Sequence, residues 1–392
     1  MTDVVIASAV RTAIGKYGKA LRDVPAVRLG EIVVRAAMER ANVPPSEIEE
    51  VIFGTAIPAG QGQAPARQVQ LRSGIPEDVG AVTVNKVCAS GMKAVTIAFD
   101  AIRAGHESIV VAGAHESMSQ APYLVKEARW GATMGHKPLL DAMVHDGLWD
   151  QLGQFHMGIT GDTVAKRFGI TREEQDRFAF DSQARAVIAT EGGKFRDEIV
   201  PVPIARDGET VTFDRDEGLR PDTSLEKLAR LKPVFTPDGT VTAGNASQLS
   251  DGAAALIVMS ARAAEERGIR PLARIVDYAT SGVAPENVME APIPTVTKLL
   301  KKTRLVIDDF DLIEHNEAYA SATLAVMRKL GMDHGRVNVH GGAVAMGHPI
   351  GCSGARILVT LLHAMRQQGA EKGLATLCLG GGNAMATIVE RV

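Results

Sequence analysis

One segment of this sequence occurs twice, 263 positions apart. Ser90–Gly105 (SGMKAVTIAFDAIRAG) and Ser353–Gly369 (SGARILVTLLHAMRQQG) both begin with Ser-Gly, continue as an apolar helical run and end at glycine. A second pair, Ser46–Gly54 and Asp308–Asn316, recurs at almost the same spacing. Two matches at nearly equal spacing indicate an internal duplication, which restricts the chain to folds built from two similar units.

Each unit of the duplication alternates helices with strands. A strand-like run follows each Ser-Gly helix, at Ser108–Gly113 and Leu374–Leu379. This alternation predicts an α/β protein with mostly parallel sheets covered by helices. Both Ser-Gly helices are apolar nearly all round, so we expect them to lie buried between the halves. The predicted halves are residues 1–120 and 272–392, and residues 251–271 are expected to return and complete the first half.

Residues 121–250 have no counterpart in the other half and are predicted to form an insertion. One good helix is expected inside it, because Thr171 and Glu174 have the spacing of a capping box and Gly192 ends the pattern. Pro201–Pro237 is expected to be irregular, since its prolines and aspartates are typical of turns. Insertions of this kind often carry function.

Composition and charge exclude several classes of function. The 392 residues carry a formal net charge of −3, so no basic excess invites nucleic acid or an anionic membrane. No apolar run approaches the roughly 18–20 residues that a membrane span needs. The start of the chain is read as a first strand rather than a secretory signal, and its last three residues match no peroxisomal or retention address. Three cysteines without a CxxC pair favour a reducing cytoplasm and indicate no metal site.

Cys88 is the first candidate for chemistry. The run Val82–Val87 is strand-like and a helix is predicted from Ser90, so Cys88 falls in a strand-to-helix turn. The dipole and free N–H groups of a helix N-terminus favour a thiolate and offer donors to an oxyanion. The alternative is a small buried cysteine without a chemical role.

His348 lies in a glycine-rich segment, GGAVAMGHPIGCSGAR. It precedes Ser353 by five residues, as Cys88 precedes Ser90 by two, so two halves packed through these helices would bring Cys88 and His348 together. A cysteine–histidine couple is a common way to activate a thiol. The alternative is a histidine that only forms hydrogen bonds within a glycine loop.

Two further positions carry polar groups next to predicted strand ends. Cys378 precedes Gly380–Gly382, which is a plausible active-site rim, although a core cysteine is the alternative. Asn316 in EHNEAYA is equally compatible with a helix N-cap and with an active-site group. Cys352 is assigned no role.

Four motifs, in this order, resemble the signature set of the thiolase family: VCASGMKA, NEAYA, GGAVAMGHPIGCSGAR and CLGGGNAMA. The similarity spans nearly the whole chain. It implies the duplicated thiolase fold, in which two similar mixed-sheet α/β halves pack through central helices. It also implies that residues 121–250 form an inserted loop domain that covers the active site and binds coenzyme A.

The resemblance implies an acyltransferase that reversibly condenses two acetyl-CoA into acetoacetyl-CoA and CoA. Cys88 would carry the acetyl group in a ping-pong mechanism, His348 would accept its proton, and Cys378 would be the acid/base of the second half-reaction. One oxyanion pocket would use His348 and a water held by Asn316. The other would use the backbone N–H groups of Cys88 and Gly380. No cofactor is implied beyond the coenzyme A thioesters that are the substrates.

The family's coenzyme A site also carries over by position. Arg220 would meet the nucleotide end, and Ser247 would line the pantetheine tunnel. The matching positions are Leu148, His156, Met157, Arg220, Ala243, Gly244, Ser247, Ala318 and Tyr319. The segment Leu139–Gln154 resembles the loop through which tetrameric thiolases associate, so a homotetramer is expected.

This sequence departs from the usual family pattern at two places. Gly161-Asp162 stands where Ala-Glu is usual, and Tyr319 stands where Phe is frequent. His156 resembles the short-chain members. The alternatives are a degradative 3-ketoacyl-CoA thiolase of broader chain length, a condensing enzyme acting on a carrier protein, against which Cys378 argues, and a non-catalytic lipid-binding relative.

Overall fold

The structure is a computed structural model that describes residues 2–206 and 208–392. The strands are β1 (Val4–Thr12), β2 (Gly15–Lys16), β3 (Glu50–Gly54), β4 (Gly80–Val84), β5 (Ile109–Ser117), β6 (Tyr123–Leu124), β7 (Leu140–Asp141), β8 (Trp149–Asp150), β9 (Phe155–His156), β10 (Ile199–Val200), β11 (Val202–Arg206), β12 (Glu209–Phe213), β13 (Ser250–Ser260), β14 (Ala273–Gly282), β15 (Leu312–His315), β16 (Lys372–Leu379) and β17 (Asn383–Glu390). The helices are α1 (Ala26–Ala41), α2 (Pro65–Arg72), α3 (Ser90–Ala104), α4 (Met157–Phe168), α5 (Arg172–Glu191), α6 (Leu225–Ala229), α7 (Ala261–Glu266), α8 (Pro292–Thr303), α9 (Ala320–Leu330), α10 (Ala343–Met346) and α11 (Ser353–Gln368).

The main sheet is mixed, with strand order β15-β16-β17-β14-β1-β13-β5-β3-β4. Its inner strands pair antiparallel, and the parallel pairs of this path lie toward the edges, at β15–β16 and at β5–β3–β4. The prediction of mostly parallel sheets is therefore wrong. The reason is visible at β16 and β17, which are joined by only Gly380–Gly382. So short a connection allows only an antiparallel hairpin.

The duplication seen in the sequence is a duplication of structure. In the first half α3 leads into β5, which lies parallel to β3, and in the second half α11 leads into β16, which lies parallel to β15. The strands β1 and β14 pair antiparallel where the halves meet. The predicted pair of α/β halves is therefore confirmed.

The two Ser-Gly helices, α3 and α11, pack against each other as predicted. A Cβ atom added to Gly91 would lie 2.7 Å from Cβ of Ala355, and one added to Gly354 would lie 2.8 Å from the backbone nitrogen of Met92. The helices share one apolar core that includes Val95 and the fully buried Leu358. This contact places the N-termini of both helices side by side.

The insertion differs from its prediction in one segment. Helix α5 begins with the predicted capping box, in which Thr171 and Glu174 exchange hydrogen bonds. The stretch 201–237, in contrast, is not irregular, because β11 and β12 form a hairpin and α6 follows it. Both hairpin strands are rich in β-branched residues and Gly208 next to the turn has φ +83°. The β-branched residues and the glycine favour a hairpin, whereas the prolines of this segment are typical of turns. One of these prolines, Pro203, nevertheless lies within β11.

A buried ion pair ties the insertion to the first strand. Arg11 of β1 is fully buried and forms a bidentate contact with Asp216 at 2.7 and 2.9 Å. Its Nε donates to Glu198 at 2.6 Å. Removing one partner of so buried a group leaves an uncompensated charge, so the arrangement fixes the insertion on the sheet. Among the described residues, no helix is both long and apolar enough to cross a membrane.

Candidate active site

A cavity of about 390 Å³ lies where the two halves and the insertion meet. Cys88 comes from the first half, and His348 and Cys378 come from the second. The insertion contributes His156 and Phe235. The structure therefore brings together three of the four side chains that the sequence singled out for chemistry, although they are up to 290 positions apart. The fourth, Asn316, does not line the cavity.

Cys88 occupies a tight turn between a strand and a helix. β4 ends at Val84, α3 begins at Ser90, and Val87 between them has a left-handed backbone with φ +47°. A β-branched residue in that conformation is strained, so the surrounding contacts must hold it. The turn leaves Cys88 partly exposed to the cavity.

Burial raises the pKa of the Cys88 thiol far above its ordinary range, and the nearby Cys378 sulfur adds to the increase. The backbone N–H groups of Gly380 and of Cys88 itself act in the opposite direction. The expected thiolate-favouring effect of the helix terminus is thus present but outweighed. The raised pKa favours the neutral thiol, so loss of its proton is expected to accompany any nucleophilic attack by Cys88.

His348 is held by the glycine-rich segment that precedes α11. Its backbone N–H donates to Gln248 O at 2.9 Å, and its Nδ1 lies 2.5 Å from Ser353 Oγ. Gly347 before it has φ +116°, and a Cβ there would lie 2.1 Å from Ser250 Oγ. Burial lowers the pKa of His348 to about 3, so the imidazole is neutral at physiological pH.

Cys378 lies at the end of β16, opposite Cys88 in the cavity. Its Sγ lies 3.7 Å from the thioether sulfur of Met289, and burial raises its pKa to about 12. The hairpin that follows places Gly380 at the cavity wall. A Cβ at position 380 would contact Val87 at 3.4 Å, which shows how closely the hairpin approaches the Cys88 turn.

Asn316 is not a helix N-cap. The backbone turns tightly after it, with Ala318 N–H donating to Asn316 O at 2.9 Å, and α9 begins only at Ala320 with Tyr319 as its N-cap. The Asn316 side chain is fully buried, and both of its amide atoms lack a hydrogen-bond partner among the described residues. Since buried amides are nearly always satisfied, this side chain is suited to hold a small polar molecule.

Most of the coenzyme A positions carried over from the family lie at the cavity wall. They are Leu148, His156, Met157, Ala243, Ser247, Ala318 and Tyr319. Arg220 and Gly244 do not line it. The Arg220 guanidinium donates to Ala243 O at 3.2 Å, and a Cβ at Gly244 would lie 2.5 Å from Leu228. Both residues therefore support the wall around Ala243 from outside.

The two departures from the family pattern are in contact with each other. A Cβ at Gly161 would lie 3.0 Å from Cγ of Tyr319, so the glycine makes room for this ring. Asp162 accepts hydrogen bonds from Thr236 Oγ1 at 2.8 Å and from the backbone N–H groups of Thr240 and Val241 at 2.8 and 2.9 Å. It thereby closes the segment that carries Phe235.

Sequence reasoning missed several residues of the site. Phe235 stacks on His156 with ring centroids 5.0 Å apart, and Met289 faces Cys378. Glu116 is fully buried and accepts hydrogen bonds from N–H groups of both halves, including Ala56 at 2.8 Å and Gly351 at 2.8 Å. Phe235 and Glu116 lie in RLKPVF and AGAHESMS, two further segments that resemble the thiolase family, and that resemblance is the signal that could have found them.

One cysteine takes no part in this arrangement. Cys352 is buried in the core shared by α3 and α11, where burial raises its pKa to about 12. Within residues 2–206 and 208–392, no cluster of three or more histidine, cysteine, aspartate or glutamate side chains is placed to hold a metal ion.

Two cysteines and a histidine around one cavity of a duplicated α/β fold are suited to covalent acyl transfer through a cysteine. Family models agree: "Thiolase, N-terminal domain" matches residues 4–262 and "Thiolase, C-terminal domain" matches residues 269–391. The chain belongs to the thiolase family.

Similar proteins carry related names. The chain is 53% identical to an acetyl-CoA acetyltransferase of Cupriavidus necator and 50% identical to one of Pseudomonas aeruginosa, each over 392 residues and all of both chains. The crystal structure of the Bacillus anthracis acetyl-CoA acetyltransferase superimposes with TM-score 0.98 at 44% identity, covering 100% of this chain and 99% of that one. Human mitochondrial 3-ketoacyl-CoA thiolase does so with TM-score 0.97 at 40% identity and the same coverage.

Proposed function

We propose that this chain is an acetyl-CoA C-acetyltransferase that reversibly condenses two acetyl-CoA into acetoacetyl-CoA and CoA. The observation that carries the proposal is the convergence of Cys88, His348 and Cys378 on one cavity. Relatives about half identical over their full length bear this activity in their names. The substrates are themselves coenzyme A thioesters, so the reaction needs no further cofactor.

In the first half-reaction Cys88 attacks the thioester carbonyl of acetyl-CoA. Its proton passes to the neutral imidazole of His348 while the Sγ–carbon bond forms, because the raised pKa of the free thiol disfavours a thiolate before the substrate binds. The carbon–sulfur bond to CoA then breaks, and the CoA sulfur leaves with that proton. The product is acetyl-Cys88 and free CoA.

In the second half-reaction Cys378 acts on a second acetyl-CoA. Its thiol proton moves to His348, and the resulting thiolate removes a proton from the α-carbon. The carbanion attacks acetyl-Cys88, and the bond between Cys88 and the acetyl carbon breaks. The sulfur of Cys88 takes the proton that His348 received from Cys378. Thiolysis is the reverse, with Cys378 as the acid.

Two sets of donors stabilise the oxyanions. The N–H groups of Cys88 and Gly380, which both act on the Cys88 sulfur, suit the carbonyl oxygen of the acetyl group that this sulfur carries. His348, once protonated, and a water on the unsatisfied amide of Asn316 suit the thioester oxygen of the second substrate. One fixed donor of this kind typically contributes about 3–4 kcal/mol to transition-state stabilisation.

The proposed first half covers residues 1–120 and is completed by residues 251–271, and the second half covers residues 272–392. The insertion, residues 121–250, covers the active site and binds coenzyme A. Its contact with the thioester arm is carried by Leu148, His156, Met157 and Ser247 at the cavity wall. Arg220 is half-buried at its outer edge and suits the charged nucleotide end. The three free cysteines suit a reducing cytoplasm, and a homotetramer associated through 139–154 is the proposed assembly.

A degradative thiolase of broader chain length is the second candidate. Its support is the close superposition on human mitochondrial 3-ketoacyl-CoA thiolase. Rates of thiolysis on 3-ketoacyl-CoAs of increasing chain length separate the two. A steep decline beyond the four-carbon substrate supports the acetyltransferase, and similar rates on long chains support the alternative.

Brief incubation with acetyl-CoA followed by peptide mass spectrometry tests the proposal. One acetyl group is expected, on the peptide that carries Cys88, and none in Cys88→Ala. Cys352→Ala is the matched control, because that cysteine is buried away from the cavity. An adduct that persists in Cys88→Ala, or none in the native enzyme, contradicts the proposal.

A further inference from the structure

The serines that begin the two central helices, Ser90 and Ser353, are the two copies of one residue in the duplication. Both are buried, with 0% and 1% of their surface exposed, and neither lines the cavity. Ser90 lies two residues after Cys88 and Ser353 lies five after His348. Each hydroxyl is bonded to the chain just before its own helix.

Neither serine acts as an ordinary helix cap. A capping hydroxyl accepts a hydrogen bond from a backbone N–H of the first turn of its own helix. In α3 and α11 no such side-chain bond exists, and the cap positions are Ala89 and Cys352. The hydroxyls are directed backward, toward the segments that carry the reacting groups.

Ser353 has one hydroxyl proton and two close partners. Its Oγ lies 2.9 Å from Pro349 O and 2.5 Å from Nδ1 of His348. A carbonyl oxygen only accepts, so the hydroxyl proton belongs to the Pro349 bond. The Oγ must then accept at its other side, and the proton of that second bond comes from Nδ1. The reverse assignment would leave two lone pairs facing each other across 2.9 Å.

These two hydrogen bonds select one tautomer of the neutral His348 imidazole. With its single proton on Nδ1, His348 presents the lone pair of Nε2 to the cavity that Cys88 and Cys378 share. Nε2 is then the atom that takes a proton from a thiol, and in the imidazolium it is the atom that donates to an oxyanion. The opposite tautomer would present an N–H to the thiol and could accept nothing.

Ser90 holds the other member of the couple. Its Oγ accepts a hydrogen bond from Lys86 N–H at 2.8 Å and donates one to Val87 O at 2.7 Å. The two bonds close the turn in which Val87 is left-handed, and Cys88 follows directly. Backbone hydrogen bonds from Ala89 N–H to Lys86 O and from Ser90 N–H to Val87 O, both at 3.1 Å, close the same turn. Loss of the hydroxyl should therefore loosen the strained Val87, and with it the position of Cys88, without opening the turn.

We infer that Ser90 and Ser353 are paired positioning residues, one fixing the backbone turn that presents the thiol of Cys88 and the other fixing the Nδ1–H tautomer and ring orientation of His348. The inference rests on the proposed function, since it assigns these serines to the same cysteine–histidine couple. The two copies of this serine thereby have different roles in the duplicated chain. Neither residue contacts the substrate.

The test compares Ser353→Ala and Ser353→Thr with native enzyme by rapid-quench measurement of Cys88 acetylation over a series of acetyl-CoA concentrations. Ser353→Ala should lower the maximal acetylation rate by roughly 10–100-fold, the range typical of groups that orient a functional histidine. The half-saturating acetyl-CoA concentration should change little, because Ser353 lies outside the cavity wall. Ser353→Thr retains a hydroxyl that can reach the same carbonyl and should recover most of the rate.

Ser8→Ala is the matched control. Ser8 is also buried and donates to a backbone carbonyl, Ala37 O at 2.7 Å, but it lies in β1 away from the cavity. It should lose a similar amount of stability and keep its acetylation rate. Ser90→Ala and Ser90→Thr repeat the comparison for the cysteine turn, with the same expected pattern.

Nitrogen NMR of histidine-labelled enzyme reads the tautomer directly. Subtracting the spectrum of His348→Asn isolates the His348 signals, and Nδ1 should carry the proton near neutral pH. A proton on Nε2 in the native enzyme overturns the inference even if Ser353→Ala does not fold. An unchanged acetylation rate in folded Ser353→Ala overturns it as well. Native enzyme that is never acetylated at Cys88 contradicts the proposed function instead, so the two failures are distinguishable.

Discussion

The backbone N–H of Gly354 donates a hydrogen bond to the carbonyl oxygen of Cys88, with 3.2 Å between nitrogen and oxygen. The donor belongs to the first turn of α11 in one half, and the acceptor belongs to the strand-to-helix turn of the other. The terminus of one central helix therefore anchors the turn in front of the other. This contact requires close approach of the two helices, and glycines at 91 and 354 allow it.

Gly91→Ala should destabilise the protein by about 1–3 kcal/mol, the usual range for overpacking a core. The added Cβ would lie 2.7 Å from Cβ of Ala355 and 2.8 Å from its backbone nitrogen, so α11 must shift. The sign of this change in unfolding free energy distinguishes overpacking from helix propensity, since Gly→Ala inside a helix otherwise adds up to ~1 kcal/mol of stability. Urea unfolding of the variant and the native protein measures the difference. A variant at least as stable as the native protein contradicts the proposed tightness of the α3–α11 contact.

His115 provides a prediction about acid. Burial lowers its pKa to about 3 from an ordinary value near 6.5. Because the folded-state pKa is depressed, the stabilising contribution is fully present above pH 6.5 and is lost as the pH falls toward 3. When the pH is lowered from 7.5 to 5, the unfolding free energy of His115→Gln should therefore fall less than that of the native protein. The expected change is about 1 kcal/mol of unfolding free energy per pH unit below 6.5.

Urea unfolding at several pH values checks the His115 prediction. His136→Gln is the control, because His136 is exposed, and its curve should run parallel to the native one. Equal pH dependence in native protein and His115→Gln would show that His115 does not bind its proton on unfolding.

The exposed apolar residues near the insertion's edge give a prediction about assembly. Leu139 and Leu152 are 64% and 81% exposed in the single chain, within the segment proposed to join dimers. Light scattering at micromolar concentration should give about four times the chain mass of 41.5 kDa. Leu139→Asp with Leu152→Asp should reduce this to about twice the chain mass. A native dimer contradicts the role of the loop, and a native monomer contradicts oligomerisation itself.

The halves and their central helices could be predicted because the duplication leaves a direct trace in the sequence. The packing of α3 on α11 followed from two all-round apolar helices that recur at one spacing. The same reasoning placed Cys88 and His348 together, since each lies just before one of these helices. Their roles, and those of Cys378 and Asn316, came from the family resemblance.

The remaining features depend on contacts that local patterns do not record. The antiparallel β16–β17 hairpin was not predicted, because three consecutive glycines are as compatible with a cavity rim as with a hairpin connection. The Cys88 turn is expected from its sequence to favour a thiolate, but burial raises its pKa, and Cys378 of the other half adds to the increase. Met289 faces Cys378 from a distant segment, and no periodicity in the sequence connects them.

Cys378→Ser should separate the two half-reactions. One thiolate cannot hold the acyl group and also remove the α-proton of the second substrate, so a second base must lie beside acetyl-Cys88. Cys378 shares the cavity with Cys88 and approaches it closely enough to raise its pKa. The variant should still be acetylated at Cys88 by acetyl-CoA. Condensation and thiolysis should fall by about 10²–10⁴-fold, the usual contribution of general acid/base catalysis.

Exchange of the α-protons of acetyl-CoA for deuterium is the second measurement on Cys378→Ser, and it should be lost together with turnover, because a serine hydroxyl is far too weakly acidic to replace the thiol. Met289→Leu is the control for packing around this sulfur, since it removes the 3.7 Å sulfur contact and keeps the Cys378 thiol. It should retain most of the exchange. Near-normal turnover and exchange in Cys378→Ser would contradict this role and make His348 at the cavity wall the next candidate for the base.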